Sequence, residues 1–127
     1  MKIKELRPRM PVTIPKSESL GAAAKLLADE DIGALVVFEP NGLAGVISER
    51  DIVRAIADGC DLAEIEVCEY MTEAPVVAED DAVIGDAIAK MNETGIRHVV
   101  IVTDGDVSGM ISMRDIVALL GTGWPEL

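Results

Sequence analysis

The sequence predicts an α/β (α+β) protein made of two copies of one small β-α-β-β-α unit. Three observations carry that prediction. GVISERDIV, beginning at Gly45, returns as GMISMRDIV at Gly109, and the same offset of 64 residues, carried backward without a gap, pairs Pro11 with Pro75, Gly21 with Gly85 and Ile32 with Ile96. Residues 11–53 and 75–117 share 13 identities in 43 positions, and further pairs exchange one apolar residue for another, as Leu20 with Ile84. Each copy also shows the same order of β-type and helix-type signals. Finally, half of the 127 residues are apolar, enough for a core, while a unit of this length is too small to bury its apolar face alone and too long for the common solenoids.

The elements follow in order. PVTI at 11–14 is a short extended piece, and SESLGAAAKLLADEDI offers Ser17 or Ser19 as a helix N-cap, with Leu20, Ala23, Ala24 and Leu27 at helical spacing. ALVVF, the turn letters EPNG and LAGVIS read as an antiparallel hairpin. ERDIVRAIADG is a second helix ending at Gly59. The second copy repeats this: PVVA extended, a helix from about Ala82 to Thr94, strand HVVIV, turn TDGD, strand VSGMIS and helix MRDIVALLG. Because the β runs are nearly continuous in apolar letters, both sheet faces are expected to be covered.

Composition narrows the function. The net charge of −12 repels nucleic acid and anionic lipid over most of the surface, and one Trp, one Tyr and one Phe leave little on which to stack bases, so nucleic acid is not an expected partner. No apolar run approaches the roughly 18 residues of a membrane span. MKIKELRPRM is followed by no apolar stretch or small-residue cleavage site, so neither a signal nor a transit peptide is read, and the cytoplasm is the expected compartment. Cys60 and Cys68 match neither a zinc knuckle nor a redox pair and are read as packing or surface thiols. The chain spells no P-loop, no Cys and His arrangement and no paired His ligands, so neither catalysis nor a metal site is expected. His98, the one histidine, is assigned a structural or interface role, and Met71, Met91, Met110 and Met113 are assigned to core filling.

The repeated nonapeptide joins a strand to a helix. Ser48 and Ser112 fall at the strand ends, with Asp51 and Asp115 in the first helical turns. One reading is capping: Ser with an acid three positions on is a capping-box variant, and the acid complements the helix dipole. The same geometry suits a ligand, since free backbone N–H groups beside a hydroxyl attract phosphate and a carboxylate there accepts hydrogen bonds from ribose hydroxyls in dinucleotide folds. Gly45 and Gly109 would let such a ligand approach the backbone. Arg50 and Arg114 are either solvated helix-start residues or phosphate contacts.

The order P-V-T-I, L, A, G-x-I-S-x-R-D-I, given twice with a short linker, resembles the cystathionine β-synthase (CBS) domain, whose tandem pair is called a Bateman module. The resemblance runs from about Met10 to Leu120 and is densest in EYMTEAPVVAEDDAVIGDAIAKMNETGIRHVVIVTDGDVSGMISMRDIV. It implies two CBS units packed sheet to sheet with pseudo-two-fold symmetry: unit 1 over 7–60, a linker over 61–70, unit 2 over 71–121 and a tail over 122–127. It also implies a sensor whose clefts take AMP, ADP, ATP or S-adenosylmethionine as regulatory ligand, with no required cofactor. In the family the motif Asp holds the ribose, the Ser or Thr three before it helps with ribose or phosphate, and apolar residues from the early strand of the other unit flank the base. Carried over, one cleft comprises Thr13, Ile14, Arg97, Ser112, Arg114 and Asp115, and the other Ser48, Arg50, Asp51, Val77 and Ala78. The first is expected to be the better site, because Thr13 stands against Val77 and Arg97 against Gly33.

The expected function is thus a free-standing adenosine-nucleotide sensor: nothing after residue 120 is long enough for an effector domain, so the output goes to a separate protein or the chain is a fragment of a larger one. The alternative is a structural or dimerising module with vestigial clefts. Homodimers forming a disc of four units are the assembly the resemblance implies, with Trp124 in the tail as a dimer contact or a loose end.

Overall fold

The structure, a computed structural model, describes residues 1–121; the tail with Trp124 lies outside the described residues. The first repeat contains β1 (Thr13–Pro15), α1 (Leu20–Glu30), β2 (Ala34–Glu39), β3 (Gly42–Ser48) and α2 (Glu49–Ala57). The second contains β4 (Val77–Glu79), α3 (Ile84–Thr94), β5 (His98–Thr103), β6 (Asp106–Ser112) and α4 (Met113–Leu120). The β-α-β-β-α order is therefore observed twice. Each repeat forms a three-stranded sheet in chain order, its first pair parallel and its second antiparallel. The duplication holds to the register: Thr13 lies opposite Val36 as Val77 lies opposite Val100, and both hairpins shift register at the same place, after Val37 and after Ile101.

Local chemistry sets the helix starts. Of the two serines ahead of α1, Ser19 is the cap: its Oγ accepts from the Ala22 N–H at 3.0 Å, and Leu20, Ala23 and Leu27 then fall on the buried stripe. α3 starts at Ile84, two residues later than the spacing suggests, and its N-cap Val83 has no side-chain oxygen to offer. The Ile84 N–H instead donates to the Met1 carbonyl at 2.9 Å.

The compact units are not bounded where the sequence reading divides the chain. One is Val12–Pro75; the other joins Met1–Pro11 to the chain from Val76 onward. Residues 61–70, read as a linker, are folded onto the first repeat, where Leu20 N–H donates to Ile65 O and Val67 N–H to Glu18 O, both at 2.8 Å. The N-terminal residues treat the second repeat identically, Ile3 N–H donating to Ala82 O at 2.9 Å. Ile3 and Val67 are 64 positions apart and both fully buried, so the duplication extends into these two straps. Each such apolar side chain contributes on the order of 1.5–3 kcal/mol, which is why the straps are ordered rather than linker-like.

The straps also explain two glycines. A Cβ on Gly45 would collide with the carbonyl oxygen of Thr72, and one on Gly109 would lie 2.7 Å from Pro8 Cβ. Val46 and Thr72 exchange two backbone hydrogen bonds at 3.1 and 2.9 Å across that crossing. The expectation that these glycines make room for a ligand is corrected: the strap occupies the room.

Each unit has its own core. Leu35, Val37 and Ile47 meet Leu20, Ala23 and Ile52 in one, and Val99, Ile101 and Ile111 meet Ile84, Ala87 and Ile116 in the other. In β2, Ala34 and Val36 are buried as well as Leu35 and Val37, so both faces of that strand are covered, as its unbroken apolar run predicts.

Candidate functional site

The strand-to-helix junctions are built alike. Ser48 and Ser112 leave the sheet in extended conformation, and each cap hydroxyl accepts from the N–H three residues on, Asp51 at 3.4 Å and Asp115 at 3.1 Å. In return Asp51 Oδ2 accepts from the Ser48 N–H at 2.9 Å, and Asp115 Oδ2 from the Ser112 N–H at 2.8 Å. The capping box read from the sequence is therefore present twice. Both junctions are also pinned to the central strand's approach: Glu49 N–H donates to Gly33 O at 3.0 Å, and Met113 N–H to Arg97 O at 2.9 Å.

That second bond sets the Arg97 main chain beside the first turn of α4, which carries Arg114 and Asp115 next to Ser112. Arg97, Arg114 and Asp115 are exposed there, and among the described residues neither arginine is in an ion pair. A helix N-terminus, a hydroxyl and an exposed carboxylate, on a stretch that also carries two arginines, suit a ligand with both hydroxyls and phosphate.

The corresponding corner of the first repeat differs. Asp51 is 5% exposed, and its Oδ2 also accepts from Ser48 Oγ at 3.0 Å. Its Oδ1 takes a 2.6 Å bond from Arg54 Nη2, a nitrogen that also reaches the Tyr70 carbonyl at 3.4 Å. Arg50 is exposed at the helix start. The sequence sets Arg54 near the repeated stretch but gives it no role; its i,i+3 spacing from Asp51 on a helix is the signal, and the burial of Asp51 gives that signal its weight.

On the early strands, Thr13 and Val77 are exposed, whereas Ile14 and Ala78 belong to the cores of their own units, so their side chains are spoken for and only their backbones are available to a ligand. Thr13 and Ile14 line a groove of about 380 Å³ beside α1 together with Pro15, Ala22 and Leu26. Val77 is engaged through its carbonyl, which accepts from Lys90 Nζ at 2.8 Å. His98 opens β5 opposite Ser112. Cys60 and Cys68 are free thiols; burial pushes the Cys68 thiol above its ordinary value. Among the described residues no three metal-ligating side chains cluster, and no helix is long and apolar enough to cross a membrane.

Two capping boxes of the form G-x-I-S-x-R-D, on two copies of one β-α-β-β-α unit, are matched by the family model of the CBS domain, once over residues 3–58 and again over 67–122. The chain belongs to the CBS-domain family. Solved CBS structures share its fold. The CBS domain protein PAE2072 from Pyrobaculum aerophilum, complexed with AMP, is 31% identical and superposes with a TM-score of 0.84, covering 97% of this chain and 100% of that one. The CBS domain pair of protein MJ0100, in complex with 5′-methylthioadenosine and S-adenosyl-L-methionine, is 28% identical with a TM-score of 0.86, covering 98% of each chain. Among curated relatives, protein MJ1225 of Methanocaldococcus jannaschii is 28% identical over 96% of this chain, which spans only 44% of that relative's length.

Proposed function

We propose that this CBS pair is a regulatory module that binds an adenosine-containing ligand and passes the binding on to a separate protein. The observation that carries the reading is the exposed Asp115 corner, with Ser112, Arg97 and Arg114 around it, on a fold whose relatives are solved with AMP and with S-adenosylmethionine. Asp115 accepts the ribose hydroxyls, Ser112 and the first N–H groups of α4 take ribose or phosphate, and Arg97 with Arg114 neutralises phosphate. The Asp51 corner, with Ser48 and Arg50, is the weaker one.

A homodimer is part of this proposal. Val53 and Ile56 on α2 and Val117 on α4 are large apolar side chains left exposed on the chain, and a second copy is the occupant that removes them from water.

Thermal unfolding with AMP, ADP, ATP and S-adenosylmethionine tests the reading. A ligand at 100 times its Kd adds about 2.7 kcal/mol, enough to raise Tm by several degrees. Asp115→Ala abolishes the shift, and Asp51→Ala takes away less of it or none. If none of the four moves Tm at millimolar concentration, the sensor reading fails and a structural, dimerising role takes its place.

A further inference from the structure

We infer that Arg54 closes the Asp51 site from within, so that the chain binds one adenosine ligand and binds it at Asp115; this rests on the ligand reading just proposed. Asp51 has two oxygens to offer a ribose. Oδ2 already accepts from the Ser48 N–H and hydroxyl, and Oδ1 holds the Arg54 guanidinium at 2.6 Å. A ribose hydroxyl is a neutral donor, whereas the guanidinium is a charged one whose hydrogen bonds are roughly twice as strong. The exchange would take place at a carboxylate that is 5% exposed, where the loss of a charged partner is least compensated by water. Arg54 therefore acts as a resident competitor, and a competitor lowers apparent affinity by the fraction of time it leaves the acceptor open.

The second repeat lacks this competitor: the position 64 residues after Arg54 is Ala118. Arg54 is a positioning residue here, acting through Asp51.

Isothermal titration calorimetry of the whole chain with AMP decides the matter. The wild type takes about one ligand per chain, Arg54→Gln takes about two, and adding Asp51→Asn to Arg54→Gln returns the count to about one. The converse variant, Ala118→Arg, changes an exposed helix position and sets a guanidinium one turn beyond Asp115. It weakens the wild-type binding step at least about tenfold. Circular dichroism verifies that each variant is folded, and should Arg54→Gln fail to fold, Ala118→Arg decides alone. Two ligands on the wild type, one on folded Arg54→Gln, or undiminished binding by Ala118→Arg overturns the closure and leaves the ligand reading standing. No heat with AMP, ADP, ATP or S-adenosylmethionine in any variant removes the ligand reading, and the closure with it.

Discussion

The two repeats share a backbone and differ in what holds one carboxylate. Strand order, register shift, capping box, strap and strap-accommodating glycine all recur 64 residues apart. Yet Asp51 is buried against Arg54, while Asp115 is exposed and followed one turn later by Ala118. Duplication has fixed the parts made by main-chain geometry, because those parts support the fold in both copies. A single position three residues along a helix is outside that requirement, and there the copies part: both Asp residues close a capping box, but only Asp51 also holds an arginine.

The largest stability difference is expected where the straps cross. Gly45→Ala drives a methyl group into the Thr72 carbonyl, part of a backbone bridge that cannot rotate away, and costs about 3 kcal/mol. Gly109→Ala meets the Pro8 ring at 2.7 Å, a group that moves with its own strap, and costs about 1–2 kcal/mol. Urea unfolding of both variants measures the gap. Equal costs would mean that the two straps yield alike and that the difference between repeats is confined to the Asp51 and Asp115 corners.

Next in size is the pair Asp51→Ala and Asp115→Ala, read as unliganded stability. Both remove a capping box, a loss of about 1 kcal/mol. Asp51→Ala also strands Arg54, but that side chain is 54% exposed and turns to water, so the total is about 2 kcal/mol rather than the 3–5 of a fully buried broken pair. If the two variants melt together, Arg54 contributes nothing to holding Asp51.

Much of this architecture is legible in the letters. Leu20, Ala23 and Leu27 announce α1 by spacing, the paired G-x-I-S-x-R-D stretches announce both junctions, and their register identifies the duplication. What escapes is long-range. Ile3 and Val67 look like unremarkable apolar residues of an N-terminus and a linker, since nothing local says that each packs on the repeat before which it does not stand. Gly45 signals close backbone approach correctly, but the visitor is the strap rather than a ligand. Arg54 is hidden for the opposite reason: its partner is evident, but a cation near an acid on a helix is common and mostly weak at the surface. Only burial of Asp51 makes it consequential.

The smallest effect expected sharpens the contrast between the straps themselves. Tyr70 lies on the first strap, at the position Leu6 holds on the second. Its phenol is 3.1 Å from Cys60 Sγ and donates to Asp58 Oδ2 at 2.7 Å. The Cys60 contact first, and the Asp58 carboxylate next, hold the phenol well above its ordinary value of 10, because ionisation would forfeit a donated bond and set a phenolate against a carboxylate. A group whose folded pKa is raised contributes stability that is complete below the unfolded value and is lost as pH rises past it toward the folded one. The wild type should therefore lose stability above pH 10 in excess of Tyr70→Phe, and the two should run parallel below it. Tyr70 is the sole tyrosine of the chain, so ultraviolet absorbance of the phenolate reads it without assignment. A titration midpoint at the ordinary value would show that the Cys60 and Asp58 contacts do not persist in solution. The first strap would then be held by its apolar packing, with Val67 at the centre, and its backbone bonds, as the second is held around Ile3.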